Sequence, residues 1–179
     1  PGELPEFLAD LVAGPQPLVY FAMGSSGNRD LVLHVLAGLG RADCQVLAPV
    51  RSHLRQEDLE TLPRNVHVTD WIPAHQLGDA VDLAITHGGE GTVQTSCVQG
   101  WPFIGIPLQF EQRFNVQRCV AFGSARLVSR REARRTDWAE LVRQALADDG
   151  MRSRARRMAT LMEGLDGPGR AAEAICELL

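Results

Sequence analysis

Leu83-Ala84-Ile85-Thr86-His87-Gly88-Gly89-Glu90-Gly91-Thr92 holds a complete strand, turn and helix start within ten residues. Leu83 to Thr86 is apolar or β-branched throughout, the glycine pair lets the chain turn tightly, and a helical pattern runs from Glu90 to Gln99. A strand without polar alternation is covered on both faces, as in parallel sheets with crossover helices.

The same alternation extends in both directions. Strands are predicted at Leu18–Met23, Cys44–Ala48, Val66–Thr69, Leu83–Thr86, Phe103–Ile106 and Ala125–Val128. Helices are predicted at Asn28–Leu39, Glu90–Gln99 and Gln112–Phe122. Past Val128 the pattern is helical only: Asp137–Ala147 behind a Thr136 cap, Met151–Glu163, and Gly169–Leu179. The fold class is therefore α/β, a doubly wound parallel sheet over residues 17–129, preceded by a linker or lead-in helix (1–16) and followed by C-terminal helices (130–179). Arg152, Arg154, Arg156 and Arg157 have helix-compatible spacing and read as a solvated face, with an anion patch as the competing reading.

Composition narrows the chemistry. The chain has 179 residues, 45% hydrophobic, enough for one core that needs neither disulfides nor a structural metal. A formal charge of −4 gives no general attraction to nucleic acid or an anionic membrane. All 18 basic residues are arginine, which excludes mechanisms built on a lysine. Cys44, Cys97, Cys119 and Cys176 lack metal-ligand spacing and read as reduced core thiols. No apolar run reaches the ~20 residues of a membrane span, and the first residues lack the regions of a signal peptide, so a cytoplasmic location is expected. The start at Pro1-Gly2 reads as the tail of a linker that something preceded.

Ligands of open parallel sheets bind outside the carboxyl ends of the strands. The loops there are Gly24-Ser25-Ser26-Gly27-Asn28, Asp70-Trp71-Ile72-Pro73, His87 to Thr92, and Pro107 to Gln112. The amides from Gly88 to Thr92, at a helix N-terminus, with His87 and Thr92 as side-chain donors, form an anion site without lysine; a plain tight turn is the other reading. Ser25 and Ser26 suit a phosphate cradle or a helix N-cap. Trp71 suits stacking on a planar base or a place in the core. Glu111 and Gln112 suit sugar hydroxyls or a surface helix start.

Trp71-Ile72-Pro73, Thr86 through Thr92, Gly100-Trp101-Pro102, Pro107, and Glu111-Gln112 followed by Asn115 together resemble the donor-binding signature of the family 1 nucleotide-sugar glycosyltransferases. The likeness extends from about Leu18 to Gly169-Arg170-Ala171-Ala172 and is strongest to bacterial members that decorate natural products. It implies the Rossmann-like C-terminal half of a GT-B fold, binding a UDP- or dTDP-sugar. His87 and the amides of Gly88, Gly89, Glu90, Gly91 and Thr92 would hold the diphosphate, assisted by Ser25 or Ser26. Trp71 would lie by the base with the Ile72 backbone on its edge, and Glu111 and Gln112 would read the sugar. Ala74 and Thr95 stand where plant members carry a glutamine and a ribose-binding glutamate, and Glu111 where most members have aspartate.

The resemblance further implies inverting transfer to a hydroxyl without metal or cofactor. Its histidine base belongs to an N-terminal acceptor-binding domain outside this sequence, in the same or another chain. No catalytic residue is expected here, and His87 would stabilise the leaving diphosphate. Two other readings are a naturally separate donor subunit of a two-chain transferase, and a nucleotide-sugar binding or regulatory module without transfer activity. A related GT-B epimerase is a further possibility.

Overall fold

The computed structural model describes residues 6–178. Of the expected lead-in, Glu6–Ala13 is helix α1, while residues 1–5, and Leu179 at the other end, lie outside the described residues. Six strands follow: β1 Leu18–Ala22, β2 Gln45–Ala48, β3 Val66–Val68, β4 Leu83–Thr86, β5 Phe103–Gly105 and β6 Ala125–Leu127. All pairings are parallel and the order is β3-β2-β1-β4-β5-β6, the α/β architecture expected. The order reverses between β1 and β4, which opens a crevice at their carboxyl ends.

Every residue of β1 and β4 is buried. Alternate β1 side chains explain why: Val19 and Phe21 join one core cluster, Leu18, Tyr20 and Ala22 the other. The first cluster lies under α2 (Arg29–Leu39) and α7 (Trp138–Leu146). The second takes in side chains of α1, α4 (Glu90–Gln99), α5 (Phe110–Phe122) and α8 (Asp149–Met162). Trp138 is fully buried, and a Cβ on Gly38 would meet its Cβ at 2.8 Å, so the missing side chain lets α7 approach α2. The indole N–H of Trp138 donates to the Ala133 carbonyl at 3.0 Å, satisfying its polar atom inside the core.

Several helix starts differ from expectation for local reasons. Asn28 caps α2 by accepting from the Leu31 amide at 3.0 Å. The cap of α7 is Asp137, not Thr136, whose hydroxyl instead donates to the Glu132 carbonyl. Helix α5 begins two residues before Gln112, because the Gln112 side chain reaches back to accept from the amide of the N-cap Gln109 at 3.2 Å. Asp148 starts α8 early, and Asp166 starts α9 (Gly167–Cys176) with proline in its first turn. Two single-turn helices, α3 (Gln56–Leu59) and α6 (Arg130–Ala133), are too short for periodicity to reveal. Cys176 is exposed, contrary to the expectation of a core thiol; Cys44, Cys97 and Cys119 are buried.

Candidate functional site

The loops after β1 and β4 face each other across the crevice, and His87 fills the space between them. The residue is 8% exposed and its ring lies against two glycines. A Cβ on Gly24 would sit 2.6 Å from the His87 Cε1, and a Cβ on Gly89 would overlap the ring nitrogen Nε2. Gly24 at φ +51° and Gly88 at φ +85° also occupy backbone conformations that disfavour side chains. The glycines therefore make room for the imidazole as well as for a tight turn.

The Nδ1 atom of His87 is buried and lacks a hydrogen-bond partner among the described residues. Burial pushes the imidazole below its ordinary pKa, opposed by the Ala22 backbone and the Glu111 carboxylate and aided by His53. The Ala22 contact acts as a nearby dipole, since no hydrogen bond of ordinary geometry forms there. The net effect favours the neutral imidazole.

Helix α4 supplies the other donors. Its N-cap, Gly89, carries no side chain, so the first-turn amides are uncapped on the crevice side. Thr92 is not a free donor: its hydroxyl donates to the Gly89 carbonyl at 2.9 Å and accepts from Thr86 at 2.8 Å. Asn115 of α5 donates to the Gly88 carbonyl at 3.1 Å and steadies the loop from below.

Gln112 is 2% exposed, with both ends of its amide engaged. Its Oε1 accepts from the Leu108 amide at 2.9 Å and the Gln109 amide at 3.2 Å, while Nε2 donates to Ser26 at 3.1 Å. It links the loop after β1 to the start of α5. Glu111 is exposed, as are Ser25 and Glu90. Trp71 is 82% exposed, so it is not a core tryptophan, whereas the Ile72 side chain is buried. Among the described residues neither backbone polar group of Ile72 has a hydrogen-bond partner.

His53 was absent from the expected site. Its Nε2 lies 2.7 Å from the Gly24 carbonyl and pins the loop after β1. The only available signal was its place after a strand, since no motif surrounds it. A hollow of about 670 Å³ beside α7, lined by Arg41, Asp43 and Arg143 among others, contains none of the expected site residues.

Residues 33–178 match the family model described as erythromycin biosynthesis protein CIII-like, C-terminal domain. The chain belongs to this C-terminal domain family of the family 1 glycosyltransferases. It is 29% identical over 146 residues to a PGL/p-HBAD biosynthesis glycosyltransferase of Mycobacterium tuberculosis, covering 80% of this chain and 33% of that protein. It is 29% identical over 170 residues to an oleandomycin glycosyltransferase of Streptomyces antibioticus, covering 91% and 39%. The glycosyltransferase VinC, solved in complex with dTDP, superposes with a TM-score of 0.77 at 22% identity, over 92% of this chain and 41% of that one. The chain thus spans a third to two-fifths of the length of these relatives. No helix among the described residues is long and apolar enough to cross a membrane.

Proposed function

We propose that this chain binds the UDP- or dTDP-sugar donor of a cytoplasmic, inverting, metal-independent glycosyltransferase. The acceptor hydroxyl is held by an N-terminal half of the same or another chain. The observation that carries this reading is the meeting, where the strand order reverses, of the uncapped α4 amides with a buried imidazole whose Nδ1 is unpartnered. Amides at a helix N-terminus and a protonatable imidazole together suit a diphosphate, and neither needs a cation. Further support comes from VinC, a structural neighbour solved with dTDP.

In this reading the Gly88 to Thr92 backbone and His87 hold the diphosphate, with Ser25 and the Ser26 hydroxyl beside it. Trp71 flanks the base, the free Ile72 backbone groups meet its edge, and the exposed Glu111 faces the sugar, while Gln112, buried and with both ends of its amide engaged, holds Ser26 in place rather than reading sugar hydroxyls. The acceptor oxygen attacks the anomeric carbon from the side opposite the diphosphate, which inverts the centre. One well-aimed donor on the departing charge is worth on the order of 3 kcal/mol of barrier. With the base on the other half, this chain alone binds donor and transfers nothing to an acceptor.

Calorimetry with UDP and dTDP tests the site. His87→Ala should weaken binding by about 1–3 kcal/mol, the size of a charge-assisted hydrogen bond. Absence of nucleotide binding at millimolar concentration, or an unchanged affinity in the variant, refutes the assignment.

A further inference from the structure

Away from the crevice, α4 and α5 carry a pair of cysteines that the proposed function does not use. The sulfurs of Cys97 and Cys119 are 3.8 Å apart and share a hydrogen bond. Both residues belong to the same apolar cluster and are buried, at 8% and 5% exposure. The pair borders an open groove of about 320 Å³ between the two helices, also lined by Val93, Asn115, Arg118 and Met162. The groove brings a small molecule up to two thiols that the sequence places 22 residues apart. Cys44 lies in the opposite core cluster, and Cys176 is exposed on α9, so neither competes for this partnership.

The two thiols share one S–H···S bond in which either sulfur can donate; with Cys97 as donor its own pKa is raised and that of Cys119 is lowered, against the opposing effect of burial on Cys119. A disulfide needs its sulfurs about 2.05 Å apart, so the 3.8 Å pair must close by roughly 1.7 Å.

We infer that Cys97 and Cys119 form a modification site, a dithiol that a small organic disulfide converts to an intrachain bond between α4 and α5. The Cys119 thiolate attacks one sulfur of the small disulfide and expels a thiolate, leaving a mixed disulfide. The expelled thiolate takes the Cys97 proton, and the Cys97 sulfur then attacks the Cys119 sulfur and releases the second thiolate, which is protonated by water from the proton Cys119 had lost. The balance is two protein thiols plus one small disulfide going to one protein disulfide plus two small thiols. The inference does not depend on the proposed donor site.

The test treats this chain, carrying Cys176→Ser to remove the exposed thiol, with hydroxyethyl disulfide under native conditions. Acid quenching, denaturation and alkylation with iodoacetamide precede mass spectrometry. The expected product has lost two hydrogens, is alkylated at Cys44 alone, and yields a peptide in which Cys97 and Cys119 are linked. Dithiothreitol should restore both thiols. Recovery of both residues as alkylated thiols after overnight treatment overturns the inference. So does a stable mixed disulfide on either one, or a link that involves Cys44. The outcome is read on a chain that keeps both cysteines, so misfolding of a cysteine variant cannot decide it.

Discussion

Gly24→Ala is the most informative single perturbation of the crevice, because the structure assigns its cost to two separable causes. The first is backbone: at φ +51° an alanine costs about 1–2 kcal/mol. The second is the new methyl group, placed 2.6 Å from Cε1 and 2.8 Å from Nε2 of His87. Ordinary carbon contacts lie near 3.5–4.0 Å, so the ring has to move by about 1 Å. Gly89 closes the other side of the imidazole, which leaves little room to retreat. Overpacking of this kind costs about 1–3 kcal/mol, for a total of roughly 2–5 kcal/mol.

For a domain of this size each kcal/mol lowers Tm by about 2–4 °C, so calorimetric melting should fall by roughly 4–20 °C. UDP affinity should fall at least tenfold, since the displaced ring no longer aims at the diphosphate. The double variant Gly24→Ala/His87→Ala removes the obstructing ring. It should melt higher than additivity predicts, by a coupling of about 1–3 kcal/mol, leaving mainly the backbone cost of the alanine. Strict additivity, or a Gly24→Ala melting point within about 1 °C of the parent, would show that Gly24 and His87 are not packed as described.

Trp71→Ala should leave folding stability within about 0.5 kcal/mol, since the indole is 82% exposed. It should cost nucleotide affinity about 1–3 kcal/mol by calorimetry, the usual worth of stacking on a base. EDTA should change UDP affinity by no more than about twofold, because helix amides and His87 occupy the role of a cation; a tenfold loss would point to metal-dependent phosphate chemistry. Burial lowers the pKa of His87, and also that of His67. The unfolded chain therefore binds protons that the folded chain refuses just below the ordinary histidine value of about 6.5. The stability this withholds is present above that value and is lost as pH falls toward the folded pKa. Urea midpoints should drop from about pH 7.5 to about pH 5.5, with a shallower drop in His87→Asn. Nucleotide binding runs the other way: a diphosphate favours the protonated ring, so binding should take up protons, readable as a dependence of calorimetric enthalpy on buffer ionisation heat.

The six strands were legible to within a residue at each end: the central ones, β1, β4 and β5, are covered on both faces and written as unbroken apolar or β-branched runs, while the edge strands β3 and β6 carry His67 and Arg126 and were marked by their short β-rich pattern between turn residues. Helix boundaries were less so. Asp137 rather than Thr136 caps α7, and the start of α5 is set by the Gln112 side chain accepting from the Gln109 amide, which apolar periodicity does not register. The loops expected to converge were visible as clusters of glycine and polar residues after strand ends, since α/β sheets place ligands there whatever their sequence.

The sequence by itself determined the α/β class, the strand positions, and which loops gather at one sheet edge. All of these follow from local periodicity and chain direction. Only the tertiary structure decided what each side chain does there, because that depends on contacts between residues far apart in the chain. It exposed Trp71, committed both ends of the Gln112 amide, and brought His53 to within 2.7 Å of the Gly24 carbonyl. It also left the Nδ1 of His87 buried between two loops, where a strand order that reverses at β1 and β4 brings them together.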